Sequence, residues 1–199
     1  MRIIKDIAAL TAIYDKPVGA SLTKVASHLT PLYRRWIGTA RFCVLSTVGA
    51  HGTDASPRGD DGPVVRIVDD TTLWMPDWRG NNRLDCLRNI VTDGRVSLMF
   101  MVPGALNVVR VNGRAELSDD PTLTHSFEQA QKHPKTVIVI TVQEVYFQCA
   151  KALMRSGLWS RDDHADLPSA GDFIKEMDAG FDAAEYDLTY PTQAPKRMW

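Results

Sequence analysis

The chain has 199 residues, 44% of them hydrophobic and 24% charged, and a net charge of -1. That is enough for one substantial soluble domain, and the charge balance gives no overall electrostatic reason to expect nucleic acid or an anionic membrane as partner. There is no apolar run of membrane-spanning length. The three cysteines, at 43, 86 and 149, form no CxxC pair, which argues against a disulfide framework or a metal site and for reduced thiols in a cytoplasmic setting.

Residues 1–40 read as helical. Ile3, Ile4, Ile7, Leu10 and Ile13 recur at helical spacing, while Lys5, Asp6 and Asp15 break the run that a secretory signal would need. "SLTKVASHL" is a second short amphipathic piece. In "TPLYRRWIG", Thr30 is a plausible N-cap, Pro31 the first helical residue and Gly38 the stop. From Arg41 the period changes to that of strands. "RFCVLSTV" reads as a strand and "GAHGTD" as a turn, and "PVVRIVDD" and "TTLWMPD" read as two strands joined by a tight turn. "RLDCLRNIV" is helical, with Leu84, Leu87 and Val91 on one face. "RVSLMFMV" is a buried-type strand, and "ALNVVRVNGRAELS" alternates, with a bulge or turn at Asn112–Gly113. "PTLTHSFEQAQKH" reads as a helix starting after Asp119 or Asp120, and "TVIVITVQEVYFQ" is the longest strand signal. Six or so strands between 41 and 148 with two inserted helices predict a mostly antiparallel sheet closed toward a barrel, mainly β with peripheral helices. Residues 1–199 are expected to form one domain: helices over 1–40, barrel and site over 41–160, and an extension over 161–199 too poor in apolar residues for its own core.

Three stretches can carry chemistry. "PDWRGNNRLDCLRN", residues 76–89, places Arg79, Arg83 and side-chain amides where a strand hands over to a helix. A helix start offers unpaired N–H groups and partial positive charge, so this is either a phosphate site or an ordinary solvated helix start; the stretch alone supports both equally. Here Arg88 and Asn89 are assigned to the helix's solvent side and its end. "DASPRGDDG", residues 54–62, reads as a loop in which Arg58, Asp60 and Asp61 form either a polar pocket wall or local surface ion pairs; its spacing fits no metal loop. In "QCAKALMRSGLW", residues 148–159, Lys151 and Arg155 share a helical face close to Trp159, which suits a planar anion or simply a solvated helix. Cys149 reads as an inert thiol more than a nucleophile. The histidines pair with no Ser or Cys in a recognisable motif, and neither GxGxxG nor a P-loop is present, so hydrolytic triads and classical nucleotide motifs fall away.

Taken together and in this order, these stretches resemble the pyridoxamine 5'-phosphate oxidase-like family of FMN-binding split barrels. "FCVLSTVGAHGTDASPRGD" is similar to its first hairpin, "LWMPDWRGNNRLDCLRNI" to its strand, phosphate loop and helix, and "RVSLMFMVPGALNVVRVNGRAEL" to its next hairpin. "VYFQCAKALMRSGLW" and "KVASHLTPLYRRWI" resemble one uncharacterised subgroup. The resemblance implies a six-stranded split barrel that dimerises, with FMN in clefts between subunits. It implies phosphate contacts from Arg79, Asn82 and Arg83, a strand end at Met75, Pro76 and Asp77 beside the ribityl chain, and Ser56, Arg58, Gly59 and Asp60 near the ring or ribityl. Arg110 would face the cofactor, and Lys151, Arg155, Ser156 and Trp159 would close the site from the partner subunit. The chain departs from the family's oxidases in reading Asn81-Asn82 where they carry Arg-Lys. It also has no match to their C-terminal substrate segment, which sets true pyridoxamine phosphate oxidase activity apart. The implied activity is hydride or electron transfer between FMN and a small molecule. Such a transfer requires no general base, so no catalytic residue is singled out; Arg58 or Arg155 would stabilise negative charge on the reduced flavin. The alternative is a non-catalytic FMN or tetrapyrrole binder.

Overall fold

The computed structural model describes residues 1–199. The helices are α1 Ile7–Thr11, α2 Gly19–Thr23, α3 Pro31–Ile37, α4 Asp85–Thr92, α5 Pro121–Thr124, α6 Lys151–Ser156, α7 Ala170–Met177 and α8 Ala183–Gln193. The strands are β1 Phe42–Gly49, β2 Gly52–Gly59, β3 Arg66–Ile67, β4 Thr72–Pro76, β5 Arg95–Met101, β6 Val108–Ser118 and β7 Val137–Gln148. They form one antiparallel sheet of seven strands in the order β2-β1-β5-β6-β7-β4-β3. The strand beyond the six expected is β2, read from the sequence as turn and loop, while "PVVRIVDD" contributes only the two residues of β3 to the sheet.

β2 and β3 are the free edges of the sheet. Yet Arg58 at the end of β2 reaches Asp77, just past β4, at 2.5 Å. The sheet is therefore curled until its two ends meet through side chains instead of a backbone ladder, which is a split barrel. Directly paired residues share a face of a sheet. The rows Cys43–Phe100–Val109 and Leu45–Leu98–Val111 thus point inward and are buried. Leu73, Met75, Ile138 and Ile140 line the same interior from β4 and β7. Burying a side chain of this size contributes about 1.5–3 kcal/mol, so this interior is the main stabilising element.

Several local expectations are met. Thr30, Pro31 and Gly38 bound α3, and the Asp120 side chain caps α5. The ladder between β6 and β7 shifts register at Asn112–Gly113. There, a Cβ on Gly113 would lie 2.0 Å from the Thr141 carbonyl oxygen, so the close approach requires glycine.

Others are corrected. "DASPRGDDG" is not a loop from its start: Asp54–Gly59 complete β2, and Pro57 is tolerated because β2 is an edge strand needing hydrogen bonds on one side only. On α4 the buried stripe is Cys86, Leu87 and Ile90, which faces the sheet, whereas Leu84 lies outside the helix as its N-cap and Val91 falls on the exposed face. Asn89 is not on the solvent side: its Nδ2 donates to the buried Thr47 Oγ1 at 3.0 Å beneath β1. "PTLTHSFEQAQKH" is helical only over α5, and Ala130 and Gln131 adopt positive φ in a tight turn. In residues 1–40, α1 and α2 are single short turns without buried residues, and Ile3 and Ile4 precede α1. The extension folds α7 against α8. Ser169 caps α7, and its hydroxyl and the Gly171 N–H both bond the Asp187 carboxylate.

Candidate functional site

The curl of the sheet builds a polar corner from the end of β2, the end of β4 and the start of α4. Arg58 lies in the inward-facing row of Cys43, so its side chain enters the corner from the barrel side. Its Nη1 donates to Asp77 Oδ1 at 2.5 Å and its Nη2 to Cys86 Sγ at 2.6 Å. Its Nε is buried without a partner. Burial works against the guanidinium charge, but the hydrogen bond to Asp77, the neighbouring Cys86 and the Asp77 charge outweigh it and raise the Arg58 pKa above its ordinary value. Burial pushes the Cys43 thiol up to about 12 and also raises Cys86, in both cases against the pull of Arg58. Both are therefore neutral structural thiols.

Asp60 is the second anchor. Its Oδ2 accepts from Trp78 Nε1 at 2.7 Å, and its Oδ1 accepts from Gln129 Nε2 at 2.9 Å and from the Asp61 N–H at 2.7 Å. Arg58 thus pairs with Asp77 and not with its sequence neighbours Asp60 and Asp61. Asp61 instead meets Arg41 at 3.3 Å on the surface.

Between these anchors and α4 runs the exposed loop Arg79–Leu84. Asn82 and Leu84 have φ of 61 and 62. Asn enters the left-handed region readily; for Leu it costs about 1–2 kcal/mol, so the surrounding contacts hold the loop in a conformation its own residues do not favour. Leu84 is the N-cap of α4 and supplies no capping side chain. Arg83 donates from its backbone to Asn81 Oδ1 at 3.1 Å and from its side chain to Asp85 at 2.9 Å. Arg79 enters no ion pair, and at Gly80 a Cβ would meet nothing within 4 Å. An uncapped helix start, two exposed arginines, side-chain amides and an unobstructed glycine are groups that could hold an anion, and their donor chemistry fits a phosphate group.

The remaining predicted positions separate into four groups. Ser56 is half-buried on the inward face of β2, two residues before Arg58. Met75 and Pro76 are buried in the β4–β7 ladder opposite Ile138 and Val137, so the Met75 side chain belongs to the core. Arg110 pairs with Met99 and Tyr146, one row out of step with Val109, and so faces outward, its guanidinium 5.2 Å from the Tyr146 ring centroid. Lys151, Arg155 and Ser156 lie exposed on or at the end of α6, and Trp159 Nε1 donates to the Ala105 carbonyl at 2.8 Å, at the β5–β6 connection. Within one chain this group makes no hydrogen bond to the Arg58–Arg83 corner. Trp78, Cys86 and Gln129 are parts of the corner not singled out beforehand. Trp78 and Cys86 sat inside the quoted stretch "PDWRGNNRLDCLRN"; nothing local to Gln129 signals its role. A surface concavity lined by Ile90, Asp93, Gly94, Arg114 and Gln143 is at the far end of α4 and shares no residue with the corner.

Among solved structures, HupZ from group A Streptococcus superposes with a TM-score of 0.50 at 20% identity, over 60% of this chain and 99% of that one. General stress protein 26 from Bacillus anthracis gives 0.45 at 19% identity, over 57% and 88% of the two chains. At such identity the HupZ match speaks for the fold alone. No curated protein sequence matches the chain. The family model described as pyridoxamine 5'-phosphate oxidase matches residues 29–149, more than half of the chain, and spans every strand and the whole polar corner. The chain belongs to the pyridoxamine 5'-phosphate oxidase family.

Proposed function

We propose that this protein binds FMN and works as an oxidoreductase on a small molecule, as a cytoplasmic homodimer. The observation that carries the reading is the uncapped start of α4, set behind a loop bearing the exposed Arg79 and Arg83 beside the buried Arg58–Asp77 pair. FMN, when bound, supplies the hydride or electron transfer. The chain's part is to hold and orient it. Arg79, Arg83, Asn82 and the first N–H groups of α4 receive the phosphate, with Gly80 leaving the backbone open. Asp77 is held by Arg58 at the end of β4, where Met75 and Pro76 contribute backbone, and it orients the ribityl hydroxyls. Ser56, Gly59 and the fixed Asp60 border the same side. Arg58, kept charged by its partners, would be the cation available to negative charge on a reduced flavin.

Homodimerisation is supported by the separation of the two site groups. Arg110 faces outward from the sheet, and Lys151, Arg155, Ser156 and Trp159 sit apart from the corner, where a second copy brings them to the partner's cradle. Exposed apolar side chains next to that group, Met154 and Leu158, fit burial against such a copy. The free cysteines suit a reducing compartment, and no helix is long and apolar enough to cross a membrane.

The purified protein should be yellow or take up added FMN, with absorbance near ~450 nm as for oxidised flavin. Replacing Arg79 and Arg83 together by Ala should weaken FMN binding by about 10²–10⁴-fold, since each charge-assisted bond contributes roughly 1.5–3 kcal/mol. Unchanged affinity refutes the cradle. Anaerobic bleaching by NADH or NADPH with reoxidation in air separates an enzyme from a flavin carrier.

A further inference from the structure

The extension over residues 161–199 returns to the corner. α7 and α8 pack on each other and α8 packs on the tight helical turn at Ala194–Arg197, so the extension is held mainly by itself. Of the hydrogen bonds made by residues 162–199, the one to the barrel is Lys132 Nζ to the Trp199 carbonyl oxygen, at 3.2 Å. The Trp199 ring packs edge-on against Trp78, with centroids 5.2 Å apart and planes at 81°.

These contacts close a cycle. Trp78 is bonded to Asp60, and Asp60 is bonded to Gln129. Gln129 and Lys132 flank a two-residue turn in which both central residues, Ala130 and Gln131, have positive φ. That one turn therefore grips Asp60 with its first residue and Trp199 with its last. Trp199 then completes the ring against Trp78. Trp78 is the residue from which the Arg79–Leu84 loop departs, and that loop holds Asn82 and Leu84 in left-handed conformations. A loop of this kind keeps its shape only if its ends are clamped. The extension leaves the β5–β6 connection, where Trp159 bonds Ala105, and reaches the clamp through Trp199.

We infer that residues 161–199 form a strap latched at Trp199, and that Trp199 is a positioning residue that holds Trp78 and through it the anion loop. The inference takes its ligand from the FMN reading, but the latch itself does not depend on it. By linkage, anion binding at the loop and docking of the strap reinforce one another, so detaching the strap is a means of releasing the ligand.

The test compares full-length wild type, Trp199→Ala and Trp199→Phe. In flavin-free protein, Trp199→Ala should abolish the exciton signal of the two indoles in the far-ultraviolet circular dichroism. Hydrogen exchange of the amides from Trp78 to Asp85 should quicken at least about 5-fold, while exchange in β5–β7 stays as in wild type. FMN should bind about 10-fold more weakly, chiefly through faster dissociation, and Trp199→Phe should restore exchange and binding to within about 2-fold. Wild-type exchange of the loop in Trp199→Ala overturns the strap. So does wild-type FMN dissociation despite a loosened loop. If wild type binds no FMN, the FMN reading fails and the exchange comparison decides the strap alone.

Discussion

The Arg58–Asp77 pair offers the sharpest test of how the two ends of the sheet are held together. Their side chains retain 16% and 17% exposure, and the pair spans the opening between β2 and β4. Arg58→Met leaves Asp77 without a cation, and Asp77→Asn leaves a guanidinium short of its counter-charge. Removing one partner of a buried pair costs about 3–5 kcal/mol; the residual exposure lets water recover part of this, so about 2–4 kcal/mol is expected for each single change. For a chain of this size each kcal/mol lowers the midpoint by about 2–4 °C, so each variant should melt roughly 4–16 °C below wild type. The double variant leaves no unpaired charge and should be less destabilised than the sum of the singles by about 1–3 kcal/mol. Urea unfolding of flavin-free protein, followed by tryptophan fluorescence at low and high salt, measures these differences. The coupling should persist in high salt, because the pair is shielded from counterions. Additive singles, or a coupling lost in salt, would show that the pair is a surface contact and that something else closes the barrel.

Three further outcomes follow from the geometry. With a thiol reagent at pH 8, the exposed Cys149 should react quickly while Cys43 and Cys86 stay protected until the protein unfolds, because burial raises both their pKa values; three fast thiols would contradict this. Gly113→Ala puts a methyl 2.0 Å from the Thr141 carbonyl oxygen and should cost at least about 3 kcal/mol in unfolding experiments, or prevent folding. Asp93, hydrogen-bonded by Arg95, is held at about 2 against an ordinary 3.8. Its contribution is therefore complete above pH 3.8 and is lost as the pH falls through about 2. Asp93→Asn should narrow its stability deficit relative to wild type across that window, and a constant deficit from pH 5 to pH 2 would refute the assignment.

The sequence by itself determined most of the strands but not β2, the bounds of α3, the bulge at Asn112–Gly113 and the stretches that hold the corner. These depend on local periodicity, cap chemistry and glycine. It also placed Arg79, Asn82 and Arg83 in one loop before a helix, since they are adjacent in the chain. Periodicity tells which residues share a face but not what covers that face. Only the tertiary structure decided that Arg58 pairs with Asp77 and Cys86 instead of its neighbouring aspartates, because that contact exists only once the sheet curls. The packing of α4 on the sheet also put Asn89 under β1 against Thr47, beside the exposed Arg88. The same holds for Asp60, shared by Trp78 and Gln129, and for Trp199 arriving on Trp78: partners separated by tens of residues meet through the path of the chain, which no local pattern encodes.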